Sequence, residues 1–160
     1  MWKKYYSIAY FGILISLVFL NCGKDDNPVE PGHEEEHAEA VGCVVKQGEI
    51  ELARAEKGVV TGSFQLEENI QSPLLNFYLI ADDGDLFRPE DEEYSFAWQS
   101  MQSGIADAIQ FQTDGPWNFH VKGLSAGSTT IVLKVLHGDH EDFVSLDIPI
   151  VVGAGSGGGL

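Results

Sequence analysis

The sequence predicts an all-β fold, an antiparallel sandwich of about seven to nine short strands in two sheets. Three observations carry that reading. From residue 41 onward the chain breaks into short runs rich in β-branched and aromatic residues, separated by turn signals. Within those runs apolar residues alternate with polar ones. Trp117, Phe119 and Val121 share one face and leave Asn118, His120 and Lys122 on the other, and Ile131, Leu133 and Val135 form a second such face. No segment holds a helical period, and many short strands at this spacing pack as two sheets rather than as an open one.

Taken in order, runs 41–46 and 49–54 open the folded part, the second with Ile50 and Leu52 alternating with charges. Runs 59–66 and 74–81 follow. Asp82-Asp83-Gly84-Asp85 is a hairpin turn, because Asp-Gly tolerates positive φ. Residues 86–88 make a short strand ended by Pro89. Tyr94, Phe96 and Trp98 line one face of the next strand, 105–112 forms another, and 117–122, the strand through Ile131 and 143–152 complete the set. Cys43 lies in the apolar run 41–45 and is expected to be buried and inert; the other readings open to an odd cysteine are a free thiol, an intermolecular bond or a third metal ligand.

Ahead of that domain stands an address. Lys3 and Lys4 precede an apolar run at 8–20 that is too short for a comfortable membrane span, which is the layout of a secretory signal with its helix. Phe19-Leu20-Asn21-Cys22 resembles the lipobox of bacterial lipoproteins, with Phe19 and Asn21 departing from the usual residues. The resemblance implies that Cys22 is acylated and becomes the first mature residue. Gly23-Lys24-Asp25-Asp26 then looks like an outer-membrane rather than an inner-membrane sorting context, and Cys-x-Lys-Asp-Asp is similar to a surface-export signal of some lipoproteins. The implied location is the outer membrane, lipid-anchored, on its periplasmic face or at the cell surface. The organisation expected is a signal peptide at 1–21, an acidic flexible tether at 22–40, the sandwich at 41–152 and a Gly-rich spacer at 153–160.

At Gly123-Leu124-Ser125-Ala126-Gly127-Ser128-Thr129-Thr130-Ile131 the chain resembles the penultimate turn and strand of bacterial immunoglobulin-like domains of group 2. The resemblance covers the last third and reaches weakly back to Ile105. It implies a small immunoglobulin-like sandwich, a fold used in surface proteins as a spacer or adhesive module. Trp117 and the histidine loop depart from that family.

Function is read from charge and from histidine. The 160 residues carry 25 acids against 9 lysines and arginines, a net charge of -16. Loss of Lys3 and Lys4 with the signal takes it to about -18. A chain this acidic repels phosphate backbones, which excludes nucleic acid and leaves cations or basic proteins as counterparts. His137-Gly138-Asp139-His140-Glu141-Asp142 packs two imidazoles and three carboxylates into one loop. Imidazole with carboxylate suits Zn²⁺, Cu²⁺ or Ni²⁺ better than Ca²⁺. The candidate ligands are His137 and His140, completed by Glu141, Asp139 or His120, with His33 and His37 of the tether as an auxiliary arm. His33-Glu34-Glu35-Glu36-His37 matches the H-E-x-x-H pattern of zinc proteases, but it lies in a polar tether with no apolar face to dock a helix. No enzyme activity is expected. Two readings stand: capture of a divalent transition metal at the envelope, and an adhesion or protein-interaction module with no metal site.

Overall fold

The structure, a computed structural model, describes residues 39–155. The signal segment, Cys22, His33, His37, most of the tether and the last residues of the Gly-rich tail lie outside the described residues.

Among the described residues there is no helix. Twelve strands form two sheets. The first sheet begins with the meander β1 (Gly42–Gln47), β2 (Ile50–Glu56) and β3 (Val59–Gly62). It continues through β5 (Leu75–Ile80), β9 (Asn118–Gly123) and β8 (Ala106–Ile109) in the order β3-β2-β1-β5-β9-β8, with β6 (Leu86–Phe87) paired to β5. The second is built on β10 (Gly127–His137). Along one side of β10 runs β7 (Tyr94–Ser100). The other side is shared by β12 (Ile148–Gly153) and β11 (His140–Val144), and β4 (Phe64–Glu67) lies parallel to β12. The orders β5-β9-β8 and β7-β10-β12 are those of strands B-E-D and C-F-G in an immunoglobulin-type sandwich. The all-β sandwich expected from the sequence is therefore present, widened by β1 to β3.

The strand count exceeds the expected seven to nine, in part because two runs that read as single strands are each broken. The run 59–66 crosses from one sheet to the other at Gly62. This glycine has φ 78°, and a Cβ there would sit 2.0 Å from the Leu52 carbonyl oxygen. Only glycine fits both conditions. The closing run breaks at residues 145–147. There the buried Ser145 accepts a hydrogen bond on Oγ from Leu133 N–H (2.9 Å) while its own N–H donates to the Leu133 carbonyl (2.8 Å). Ser145 thus satisfies the one stretch of β10 that neither β11 nor β12 reaches. The sandwich also extends past residue 152: Gly153 belongs to β12, opposite Glu67, and its carbonyl accepts from Glu68 N–H.

The core follows the alternation. Phe119, Val121, Ile131, Leu133 and Val135 are wholly buried, as their inward faces predict, and Trp117 nearly so. Phe119 of the first sheet meets Phe64 and Phe96 of the second, with ring centroids 6.5 and 5.0 Å apart. Phe77 meets Phe96 at 5.0 Å. These rings bridge the two layers and supply much of the apolar area removed from water.

Candidate functional site

The loops that follow β5 and β10 converge at one end of the sandwich. Residues 81–93 leave the first sheet through the turn at Asp82–Asp85, which closes the β5·β6 hairpin as its Asp-Gly signal predicts. The chain then passes Pro89-Glu90-Asp91-Glu92-Glu93 before entering β7. The tip between β10 and β11 is a two-residue turn, Gly138-Asp139, with His137 and His140 as cross-strand partners. Gly138 has φ 56°, a conformation costly for residues with a Cβ. The two loops are joined. Gly138 N–H donates to the Glu93 carbonyl (3.0 Å), and His137 Nε2 lies 3.2 Å from Glu93 Oε2.

Among the described residues, the expected metal ligands His137, His140, Asp139, Glu141 and His120 each have a definite place. The His137 ring stacks on Tyr94, centroids 4.4 Å apart at 11°, with Glu93 at its Nε2. His140 and Asp139 are exposed. Glu141 is engaged by Lys134, whose Nζ donates to Oε1 at 2.6 Å. His120 stands among different residues. Its Nδ1 is 2.9 Å from the Ser72 carbonyl, which has only acceptor capacity, so Nδ1 carries the proton; Nε2 faces Asp114 Oδ2 at 3.7 Å and the ring edge meets Phe111. The structure brings His137 and His140 together and keeps His120 apart from them. Among the described residues no group of three or more His, Cys, Asp or Glu is placed to hold an ion. Glu93 and Tyr94 are the partners that sequence reasoning missed. The acidic run 90–93 was visible, but nothing in it announces a partner 44 positions away.

Electrostatics at this end are one-sided. Segments 82–93 and 137–142 contain ten carboxylates and a single arginine. That Arg88 turns inward. Its Nε donates to the Phe77 carbonyl (2.7 Å), its Nη2 to Asn118 Oδ1 (3.0 Å), and its guanidinium lies over the Tyr78 ring at 4.0 Å. Burial pulls its pKa below the usual arginine value, an effect that the Tyr78 hydroxyl partly opposes. It neutralises none of the loop carboxylates through these contacts. Elsewhere, a groove of about 570 Å³ opens beside β4, lined by Leu52, Phe64, Leu66, Ile70, Pro73 and Leu75 with Glu67 as its charged group. It lacks the convergent ionisable groups of a catalytic centre.

Cys43 is wholly buried in β1, and desolvation drives its thiol pKa up to about 12 against a lesser opposing pull from an Ala55 backbone hydrogen bond. This agrees with the inert cysteine expected from its apolar run.

The class defined by these observations is an all-β, two-sheet sandwich of immunoglobulin-type strand order with an acidic loop end. No family model matches the chain, and no curated protein does. Among solved structures it is similar to domains 5–6 of the S-layer protein SbsC (19% identity, 59% of this chain and 41% of that one, TM-score 0.40). Domains 4 and 5 of the same protein give 18% identity over 59% and 42% of the two chains at a TM-score of 0.40. Domains 4–9 give 18% over 72% and 18% at 0.41. The chain spans less than half the length of each, and overlaps this loose carry no argument about what it does.

Proposed function

We propose that the chain is a non-enzymatic interaction module held at the bacterial envelope by an acylated Cys22, presenting the acidic end of its sandwich to a cationic protein partner. The observation that carries this reading is the pairing of loops 82–93 and 137–142 through Glu93, Gly138 and His137, which gathers the carboxylates of both loops at one end of the sandwich. Such a field accelerates encounter with positively charged surfaces and opposes like-charged ones. The lipobox-like residues 19–22 support the location: two or more acyl chains would hold the protein firmly at the membrane surface. Replacement of Cys22 by Ala is expected to move the protein from the membrane fraction to the soluble one, and continued membrane association would refute the anchor. For the module itself, full-length chain is titrated with polylysine at rising salt. Binding should weaken with salt and drop in a Glu90→Lys, Glu92→Lys, Asp139→Lys variant; equal binding by that variant would remove the acidic end from the function.

Metal capture is the second reading, favoured by one observation. Glu93 at His137 Nε2 resembles the carboxylate that orients a histidine for ligation through its other nitrogen, with His140 directly across the strand pair. Further ligands would have to come from His33 and His37. Calorimetric titration of Zn²⁺ and Cu²⁺ into the full chain tests it: a His137→Ala, His140→Ala variant should lose the heat. Absence of heat in the unaltered protein ends this reading.

A further inference from the structure

The outer edge of β7 is an open pairing surface. The register with β10 decides which of its groups are free. Met101 N–H donates to the Thr130 carbonyl (2.9 Å) in continuation of the β7·β10 pairing, and Gly138 N–H donates to the Glu93 carbonyl in the same register. Amides along a strand point alternately to its two sides. Ser95, Ala97 and Gln99 therefore bond β10, whereas the N–H and C=O groups of Phe96 and Trp98 point the other way. Leu133 agrees with this parity: it faces Ser145 on the far side of β10, which leaves Val132 and Lys134 to face β7. Among the described residues no strand pairs with that side of β7, and no backbone hydrogen bond from elsewhere reaches Phe96 or Trp98.

Proteins blunt exposed edges with charges, prolines, bulges or short length. The other margins here use these devices: β3 and β4 have four residues each, β4 ends in Glu67 whose carbonyl accepts from Ile70 N–H, and β8 carries Asp107. By contrast β7 has seven residues, Tyr-Ser-Phe-Ala-Trp-Gln-Ser, with no charge and no proline. Its guards stand at the two ends, where Tyr94 N–H donates to the Asp91 carbonyl (3.2 Å) and Ser100 Oγ donates to Asp107 Oδ1 (2.6 Å), leaving Phe96 and Trp98 between them. Ser95, Ala97 and Gln99 on the outer face are small or neutral and obstruct nothing.

We infer that the open edge of β7 at Phe96 and Trp98 takes up an extended segment of a partner protein as an added antiparallel strand, with the segment's basic residues beside Glu90, Asp91, Glu92 and Glu93. Charge chooses this occupant. Four carboxylates stand at one end of the edge, and Met101-Gln102-Ser103-Gly104 at the other end bears none. An antiparallel strand, the geometry β7 already has with β10, would bring its C-terminal residues beside the acids, so lysine or arginine belongs there. A second copy of this chain fits less well. Two-fold pairing would set its acids against neutral residues, with no attraction gained and a net charge of -16 on each partner. Added strands draw affinity from main-chain hydrogen bonds, which free edge groups supply.

This inference deepens the interaction reading and rests on it, but its test separates the two. Full-length chain is titrated with the peptide Thr-Val-Thr-Val-Thr-Val-Lys-Lys while amide hydrogen exchange is followed residue by residue. Exchange at Phe96 and Trp98 should slow on binding. A peptide N-methylated at alternate residues along its pairing edge should not protect them, and one ending in Glu-Glu should bind at least about tenfold more weakly. Unchanged exchange at Phe96 and Trp98, or equal binding by the methylated or acidic peptide, overturns the strand proposal, even if salt-sensitive polylysine binding at the loops survives. Concentration-dependent protection of the same two amides without peptide would assign the edge to a second copy and overturn the proposal as well.

Discussion

Cys43 is a residue whose chemistry is decided by where it is buried. At neutral pH the thiol stays protonated, so iodoacetamide should leave the native protein unlabelled and modify Cys43 only when denaturant opens the fold; rapid labelling of native protein would contradict the burial. The same shift has a pH consequence. The folded pKa of about 12 lies above the unfolded value near 9, so the unfolded chain loses its proton first. Stability from this group is intact below about pH 9 and declines as pH rises from there towards 12. A denaturation midpoint that falls across that window in the wild type, and falls less in Cys43→Ala, is the expected outcome. The apolar run 41–45 made this burial readable. His137 is the opposite case: its Tyr94 stack and Glu93 contact come from a segment more than forty positions earlier, and no local pattern contains them.

At the scale of the element, two breaks shape the sandwich. Ser145 caps a gap between β11 and β12 by serving Leu133 on both its N–H and its C=O. Ser145→Ala leaves the Leu133 amide without its acceptor in a buried place and should cost about 1–3 kcal/mol in chemical denaturation, whereas Ser145→Thr, keeping the hydroxyl, should cost less. The other break is sterically absolute. In Gly62→Ala the new methyl would meet the Leu52 carbonyl oxygen at a φ that disfavours alanine. A loss greater than about 2 kcal/mol is expected, and a near-neutral result would mean that the crossover from β3 to β4 is drawn wrongly. Gly62 was plain in the sequence, yet a glycine inside an apolar run signals equally a bulge, a bend or a change of sheet.

Across the whole molecule, the two layers are held by rings that cross between them. Phe119 touches Phe64 and Phe96 from the opposite sheet, so its removal loosens both at once. Phe119→Ala should lower the unfolding free energy by about 3–5 kcal/mol, measured by urea denaturation with an unchanged transition slope. A cost under about 1 kcal/mol would show that the sheets do not pack face to face as described. The same architecture accounts for the open edge: among the described residues no further strand follows β7 on that side of the second sheet, and the chain continues instead through Met101 towards β8.

Sequence by itself determined the all-β class, the inward faces at Phe119 to Val121 and Ile131 to Val135, the Asp82–Asp85 turn, the inert Cys43 and the acidity of the loops. All of these rest on neighbours one to four positions apart, and the two-residue period of a strand writes them into the order of the chain. Tertiary structure alone decided that β3 and β4 belong to different sheets, that Glu93 meets His137, that His120 stands apart from the β10·β11 tip, and that the backbone groups of Phe96 and Trp98 point to an open sheet edge. Those facts depend on which distant strands pair and in what register. Pairing is settled when two sheets close over a common core, an event to which no short stretch of residues holds the key.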